Sequence, residues 1–209
     1  MNISYPSGSD PTLHFAKEKQ KKQGTAKKPV TYGKRGMNLE EAINESNEYY
    51  LAHQLAVVHK KPTPLQIVKV DYPKRSAAVI REAYFRQAST TDYNGVYQGH
   101  YLDFEAKETK NKTSFPLKNF HQHQIDHFAA CLTQGGLCFS LLYFSSLHRC
   151  FFLEAAVLID YWQKKAAKSS ISLKELEQKS IELTPGIAPR IPYLQAVAQT
   201  LTKEDPFHE

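Results

Sequence analysis

The sequence lacks a long apolar run, and this absence excludes a helical membrane protein. Its longest near-apolar stretch, LCFSLLYF at residues 137–144, is far shorter than the ~20 residues that a membrane-spanning helix needs. The first residues, MNISYPSGSDPTLHF, also lack the basic start and apolar core of a secretory signal peptide. We therefore expect a cytoplasmic protein that makes no use of a membrane.

Cysteine is scarce, and the spacing of the three cysteines argues against a structural zinc site. Cys131, Cys138 and Cys150 form no CxxC pair, so we expect reduced and buried thiols. His123 and His127 have the i, i+4 spacing of zinc ligands, but HQIDH lacks the glutamate of an HExxH motif. Zinc chemistry is therefore not favoured.

Most of the chain has no net charge. Residues 1–36 carry the whole net charge of +6, and the rest of the sequence has 19 basic and 19 acidic residues. The low-complexity segment KEKQKKQGTAKK cannot bury enough apolar surface to fold. We expect a disordered basic tail at residues 1–34, which either keeps the protein soluble or neutralises nucleic-acid phosphates.

The remaining residues, 35–209, are enough for one sizeable core and too few for two ordinary domains. Capping signals and hydrophobic periodicity predict strands mixed with helices, which favours an α/β domain around one central sheet. The expected elements are a helix after Asn38 with a capping box to Glu41, a strand at 55–60, a helix at 117–134, strands at 137–144 and 150–155, a helix at 157–166, a helix capped by Ser172 with Glu175, and a helix after Pro192.

A second basic region lies inside this domain. From Lys60 to Arg86 there are seven Lys/Arg residues against two acids, with Tyr72, Tyr84 and Phe85 interleaved. Basic and aromatic residues together are typical of a nucleic-acid surface. We expect an inserted arm at about residues 60–88. The alternative is an ordinary amphipathic strand and helix with a charged outer face.

The segment HYLDFEAKE predicts a strand with unlike faces. Alternation places Leu102, Phe104 and Ala106 on one face. The opposite face then carries two acids and a lysine, which are Asp103, Glu105 and Lys107. This pattern predicts a half-buried strand with one side open to solvent.

A turn before this strand would bring a further carboxylate to the same place. Asn94-Gly95 is a strong turn signal, and a turn there folds Asp92 back toward Glu105. Two converging carboxylates repel each other unless a cation lies between them. Carboxylate oxygens with few other ligands favour magnesium, which often binds phosphate as well.

Two further side chains could act with such an ion. Lys107 projects from the same face as Glu105, where it could stabilise transition-state charge or orient the attacking water; the alternative is a surface Glu–Lys salt bridge. Gln124 falls inside the apolar stripe of the predicted helix at 117–134. Its amide oxygen could reach the metal or a bound water, or backbone groups could satisfy it.

The order Asp92, then Glu105-x-Lys107 on a strand, resembles the nuclease superfamily named for its PD-(D/E)xK motif. The sequence is more closely similar to the RecU-type Holliday-junction resolvases. Thr91 stands where the superfamily has its leading proline, which weakens the match to the general motif but does not disturb the match to the family. The matching stretches span about residues 35–193 and are RGMNLEEAINESNEYYL, HKKPTPLQIVKVDYPKRSAAVIREAYF, STTDYNGVYQGHYLDFEAKETKNKTSFPLKNFHQHQI and APRIPYL.

The resemblance implies a restriction-endonuclease-like nuclease domain with a projecting stalk. It implies a symmetric homodimer that binds four-way and branched DNA and nicks two opposing strands in recombination and repair. The cofactor implied is Mg²⁺, with Mn²⁺ as a substitute, and recombinase and branch-migration proteins are candidate partners. By position, the metal-site residues are Thr90, Asp92, Glu105 and Gln124, and Lys107 corresponds to the transition-state stabiliser.

The basic region at residues 60–88 resembles the stalk that enters the junction centre in this family. Its expected DNA-binding residues are Lys60, Arg75, Arg81 and Phe85. The rival function is a non-catalytic protein that binds junctions or bridges DNA strands, which the arm and tail fit equally well. An RNA-binding ribosome factor would leave Asp92 and Glu105 without a role. Magnesium-dependent nicking of a junction distinguishes the enzyme from these alternatives.

Overall fold

The computed structural model describes residues 38–71, 78–85 and 90–204. The predicted tail at residues 1–34 and the expected DNA contact Arg75 lie outside these ranges. The helices in them are α1 Leu39–Ala52, α2 Gln122–Thr133, α3 Ala155–Gln163, α4 Leu173–Lys179 and α5 Tyr193–Glu204. The strands are β1 Val57–Lys60, β2 Leu65–Asp71, β3 Val79–Phe85, β4 Tyr93–Tyr97, β5 His100–Thr109, β6 Ser114–Pro116, β7 Leu137–Phe144, β8 Arg149–Glu154, β9 Ser170–Ser172 and β10 Ile181–Leu183.

A six-stranded sheet in the order β1-β4-β5-β7-β8-β10 forms the centre of the fold. Strands β5 and β7 run parallel, and the other neighbours in this sheet are antiparallel. This mixed sheet, flanked by helices, confirms the predicted α/β fold. Among the described helices, none has the length and apolar character needed to cross a membrane.

Helices cover both faces of the central sheet. Helices α1 and α5 pack on one face, with Ile43 and Tyr193 fully buried there. Helices α2, α3 and α4 pack on the other face around Phe128 and Leu158. Strand β7 lies between these two layers and is buried at every residue. A strand buried on both faces reads as a continuous apolar run, which explains the sequence LCFSLLYF.

The prediction that β5 is half buried with an open side is wrong. Its alternation is as expected, because Leu102 and Phe104 enter the core on the side of α1 and α5. The polar face is buried too, however, and Asp103 and Glu105 have no exposed surface. The reason is that β5 is a central strand of the sheet. Helix α2 covers the polar face of β5, which was predicted to be open to solvent.

The predicted turn at Asn94-Gly95 is also wrong, because both residues belong to β4. The chain reverses instead at Gln98-Gly99, whose φ angles of 49° and 84° are those of a tight hairpin turn. Gly95 has another purpose. A Cβ atom there would lie 2.2 Å from the carbonyl oxygen of Val57, so glycine is needed for the close approach of β1.

Helix starts follow the capping signals with two differences. Ser172 and Glu175 form the predicted reciprocal capping box of α4. Asn38 caps α1, but its side chain accepts from the Glu40 N–H rather than from that of Glu41. The helix predicted from residue 117 begins at Gln122, because residues 117–119 form a short 3-10 helix that ends before the cap at His121.

Strands β2 and β3 form a separate two-stranded antiparallel sheet, here called the β2–β3 hairpin. Its pairing runs from Leu65–Phe85 to Asp71–Val79, with an irregular register in β2 between Ile67 and Val70. Residues 79–85 are therefore a strand, and the alternative of a strand followed by a helix is wrong. Large apolar side chains on this hairpin are about half exposed, and they include Leu65, Ile67, Val68, Val79, Ile80 and Tyr84.

Candidate active site

Pairing of β4 with β5 brings Asp92 beside Glu105. Asp92 directly precedes β4, one step beyond the paired residues Tyr93 and Phe104. The backbone N–H of Asp92 donates a hydrogen bond of 3.0 Å to Glu105 Oε2. Asp92 therefore lies beside the Glu105 carboxylate, although the turn that brings the two residues together lies at Gln98-Gly99.

Lys107 completes this group from the same face of β5. Its Nζ lies 2.7 Å from Glu105 Oε1, with the lysine side chain 21% exposed and that of Glu105 fully buried. The approach does not have hydrogen-bond geometry, so Glu105 Oε1 is a buried oxygen without a hydrogen-bond partner among the described residues. Buried polar atoms are nearly always hydrogen-bonded. Apart from its ion pair with Lys107, this oxygen is therefore open to a further ligand.

Burial changes the acidity of Glu105. Loss of solvent raises its pKa to about 7, the Lys107 ammonium opposes this rise, and the nearby Asp92 carboxylate adds to it. Near neutral pH, the protonated and ionised forms of Glu105 are thus both populated in the metal-free protein. A bound cation would favour the ionised form.

The oxygens at this site fit a hard divalent cation. Glu105 Oε1 is buried and lacks a hydrogen bond, and the Asp92 side chain next to it is partly exposed. Magnesium binds one or two protein carboxylates and retains several waters or phosphate oxygens. A buried carboxylate beside a partly exposed one therefore has the chemistry and the solvent access that magnesium requires.

Thr90 and Gln124 have other hydrogen-bond partners. The Thr90 hydroxyl donates to the Thr91 carbonyl at 3.4 Å. Gln124 is buried, and its Oε1 accepts from the His121 N–H at 3.0 Å as part of the α2 cap. Backbone thus satisfies this glutamine oxygen, as the alternative interpretation expected. The metal-site roles of Thr90 and Gln124 stay predictions.

The sequence interpretation missed a second polar cluster beside this site, centred on Asp103. Both of its carboxylate oxygens are engaged: Oδ1 accepts from the Thr91 hydroxyl, and Oδ2 lies 2.7 Å from Lys61 Nζ. Oδ2 also contacts the Tyr101 hydroxyl at 2.8 Å and His127 Nε2 at 3.1 Å. We call these five residues the Asp103 cluster. The one sequence signal for this cluster was the alternation of apolar and polar residues along β5, which places Asp103 on the same face as Glu105.

The Asp103 cluster has a metal-like arrangement on one side. Ligand atoms of Asp103, His127 and Cys131 lie within 4.8 Å of one another. The ammonium of Lys61, however, is 2.7 Å from the same Asp103 oxygen. Unlike Glu105 Oε1, both Asp103 oxygens accept hydrogen bonds, from Thr91, Lys61 and Tyr101, so neither is left for a metal ion. The contacts therefore favour a buried ion pair over a metal site.

Two of the expected DNA-binding residues, Lys60 and Arg81, form ion pairs at the surface. Lys60 Nζ lies 2.5 Å from Glu40 Oε1, and Arg81 Nε lies 2.6 Å from Asp71 Oδ2 across the β2–β3 hairpin. Surface pairs of this kind contribute only about 0–1 kcal/mol, so both cations could exchange their partners for phosphates. Phe85 ends β3, and its side chain lies outside the described part of the chain.

Comparison with known proteins identifies the family. The family model described as "Recombination protein U" (RecU) matches residues 34–199. A Lactobacillus acidophilus protein named "Holliday junction resolvase RecU" is 61% identical, and the alignment covers 93% of this chain and 95% of the relative.

Two further relatives carry the same name. The protein from Lactobacillus delbrueckii subsp. bulgaricus is 59% identical over 99% of this chain and 98% of its own length. The protein from Lactiplantibacillus plantarum is 55% identical, with both chains covered completely. A match to the family model over most of the sequence and relatives above half identity lead to one conclusion: the chain belongs to the RecU family.

Proposed function

We propose that this member of the RecU family resolves four-way DNA junctions by magnesium-dependent hydrolysis, with paired symmetric nicks, in recombination and repair. Its relatives are named Holliday junction resolvases, and family membership makes the chain a nuclease. The observation that carries the proposal is the buried Glu105 Oε1 atom. It lacks a hydrogen bond and lies next to Asp92 and Lys107.

Asp92 and Glu105 would hold the ion, with Thr90 and Gln124 as further ligands or supports. Magnesium at this position, or Mn²⁺ in its place, supplies a Lewis acid that polarises the scissile phosphate and makes a bound water more acidic. The chain itself fixes one ligand, because the Asp92 N–H holds Glu105 Oε2 at 3.0 Å. The other oxygen of Glu105, Oε1, would then be left for the ion.

Lys107 would act on the phosphate. Its ammonium is partly exposed and lies 2.7 Å from a carboxylate oxygen that has no surface exposure, so it borders both the buried pair and solvent. A fixed positive charge there stabilises the negative charge that develops on the phosphate in the transition state. Glu105 orients Lys107, and the two residues have separate roles.

Substrate selection is assigned to the β2–β3 hairpin and to a homodimer. Two symmetric cuts need two active sites related by a two-fold axis. The hairpin carries exposed apolar side chains and Arg81, and with Lys60, Arg75 and Phe85 it would contact the open centre of a junction. The proposed location is cytoplasmic, with recombinase and branch-migration proteins as candidate partners.

A nicking assay tests the proposal. A four-way junction labelled in turn on each strand is incubated with the protein and Mg²⁺, with EDTA and with a linear duplex as controls. We expect nicks at symmetric positions on two opposing strands, and only with the metal. Junction binding without cleavage under all metal conditions would instead identify the rival function, a non-catalytic junction-binding protein.

A further inference from the structure

The segment that carries Asp92 is hydrogen-bonded to Lys61 and also to strand β5. The Lys61 N–H donates to the Asp92 carbonyl at 2.7 Å, and Lys61 Nζ donates to the Thr91 hydroxyl at 2.9 Å. From β5, Asp103 accepts from that hydroxyl and Glu105 accepts from the Asp92 N–H. The backbone immediately before β4 is thus tied to two elements at once.

Thr91 is the centre of this arrangement. It is 3% exposed, and its hydroxyl contacts both charged members of the Asp103 cluster, the Lys61 ammonium and the Asp103 carboxylate. A hydroxyl can donate one hydrogen bond and accept others. The Thr91 side chain therefore satisfies a cation and an anion simultaneously.

The charges of this cluster are balanced inside the protein. Asp103 has no exposed surface and Lys61 is only 17% exposed in its side chain, with 2.7 Å between them. Such a buried ion pair is tolerated when further hydrogen bonds satisfy its polar atoms. Tyr101 and His127 contact Asp103 Oδ2 in this way, at 2.8 and 3.1 Å. A buried polar network with its members satisfied is rigid and has one preferred geometry.

We propose that Lys61, Thr91 and Asp103 form a positioning clamp that sets the Asp92 carboxylate against Glu105 for cation binding. The clamp rests on the proposed metal-dependent function. Its three residues act through Asp92, so they are positioning residues. Outer contacts of this kind orient metal ligands, and removing one typically weakens metal affinity or activity by ~10–100-fold.

Three threonine substitutions test the clamp. Thr91→Val removes the hydroxyl but leaves Lys61 and Asp103 paired, so no charge is left alone in the interior. Thr91→Ser retains the hydroxyl and should therefore preserve the wild-type position of Asp92. Thr200→Val is the matched control, because Thr200 is a buried threonine of α5 whose hydroxyl bonds only to the Ala196 carbonyl among the described residues.

The first readout is Mn²⁺ affinity of the DNA-free, full-length protein, measured by titration with electron paramagnetic resonance. Thr91→Val should weaken binding by ~10–100-fold. Thr91→Ser and Thr200→Val should bind as the wild type does. Equal affinity in Thr91→Val and the wild type would overturn the clamp. So would equal losses in Thr91→Val and Thr200→Val, because they would indicate a general loss of stability.

The second readout needs no metal. The Asp92 amide is protected by its bond to Glu105 Oε2, so its hydrogen exchange, followed by NMR, reports the clamp directly. Thr91→Val should accelerate exchange at this amide more than at the amides of β7, and Thr91→Ser should not. Unchanged exchange in Thr91→Val contradicts the clamp. If the wild type neither binds Mn²⁺ nor cleaves, the proposed function fails, and this exchange measurement still decides the clamp.

Discussion

The candidate active site and the β2–β3 hairpin hold their charged side chains in opposite ways. Glu105 and Asp103 are completely buried, and their contacts come from their own strand β5 and from neighbouring segments of the fold. On the hairpin, Arg81 is 64% exposed in its side chain and pairs only with the similarly exposed Asp71 among the described residues. The first arrangement fixes atoms before substrate arrives, and the second leaves a surface that substrate can reorganise.

The energetic consequences of this difference follow from burial. A pair at the surface contributes about 0–1 kcal/mol, whereas removing one partner of a buried pair costs about 3–5 kcal/mol. We therefore expect substitutions in the active site to remove chemistry while DNA binding persists. Substitutions on the hairpin should change affinity and selectivity while the metal site persists.

The largest effect is expected from the two acids. Glu105→Gln and Asp92→Asn retain the side-chain shape but remove the charge that binds the cation, and cleavage should fall by ~10³-fold or more. Junction affinity should change little. Single-turnover cleavage and gel-shift titration measure both quantities, with Glu108→Gln, an exposed neighbour on β5, as the control. Wild-type nicking rates in either variant would refute the assigned site.

The next effect is that of Lys107. Lys107→Ala should retain metal binding but lose ~2–4 kcal/mol of transition-state stabilisation, by analogy with the loss of one oxyanion donor. The measurement is the single-turnover rate at saturating Mg²⁺. Lys110→Ala, at an exposed position just beyond β5, is the control. A loss below tenfold would count against this role for Lys107.

The hairpin should show a smaller and more selective effect. Phe85→Ala removes a side chain that could stack on an unpaired base, a contact worth ~1–3 kcal/mol. Arg81→Ala and Arg75→Ala remove cations that the proposed function assigns to the junction centre. Affinities for a junction and for a duplex of equal length, at one salt concentration, measure the selectivity. If both affinities fall in parallel, the hairpin is a general DNA contact.

The smallest effect is that of pH. Because the pKa of Glu105 is raised to about 7, its proton competes with the cation, and at low Mg²⁺ the rate should rise ~10-fold per pH unit below that value. More Mg²⁺ should shift the inflection to lower pH. The folded chain also holds this proton more tightly than the unfolded chain does. The metal-free protein should therefore lose stability as pH rises from the ordinary value of 4.5 toward 7.

The sequence predicted those elements whose cause lies in neighbouring residues. The run LCFSLLYF became the fully buried β7, and Ser172 with Glu175 capped α4. Asp92, Glu105 and Lys107 converged because alternation fixes the face of Glu105 and Lys107, and a hairpin returns the chain to Asp92. Apolar runs, capping residues and strand alternation involve residues close together in the chain, so they can be recognised in a single sequence.

The errors came from long-range pairing. Asn94-Gly95 has the local preference of a turn, but pairing with β1 extends the strand through both residues, and Gly95 is required by the nearness of Val57. The exposure of β5 was misjudged because only the assembled sheet shows that β5 is a central strand.

The Asp103 cluster shows the same limit within the site. Lys61 reaches Asp103 across 42 positions of sequence, and no motif connects the two. The proposed ligand Thr90 entered from the family resemblance alone, whereas Gln124 was first suggested by its place in the apolar stripe of the predicted helix, which left two alternatives. The hydrogen bond from the His121 N–H to Gln124 Oε1 favours the alternative in which backbone groups satisfy the glutamine.

The most direct test of the active site is an anomalous difference map from crystals soaked in Mn²⁺. The account predicts a peak beside Glu105 Oε1 and the Asp92 carboxylate, and no peak there in Glu105→Gln crystals. A peak beside Asp103, His127 and Cys131 instead, or no peak at Glu105 in the wild type, would contradict it.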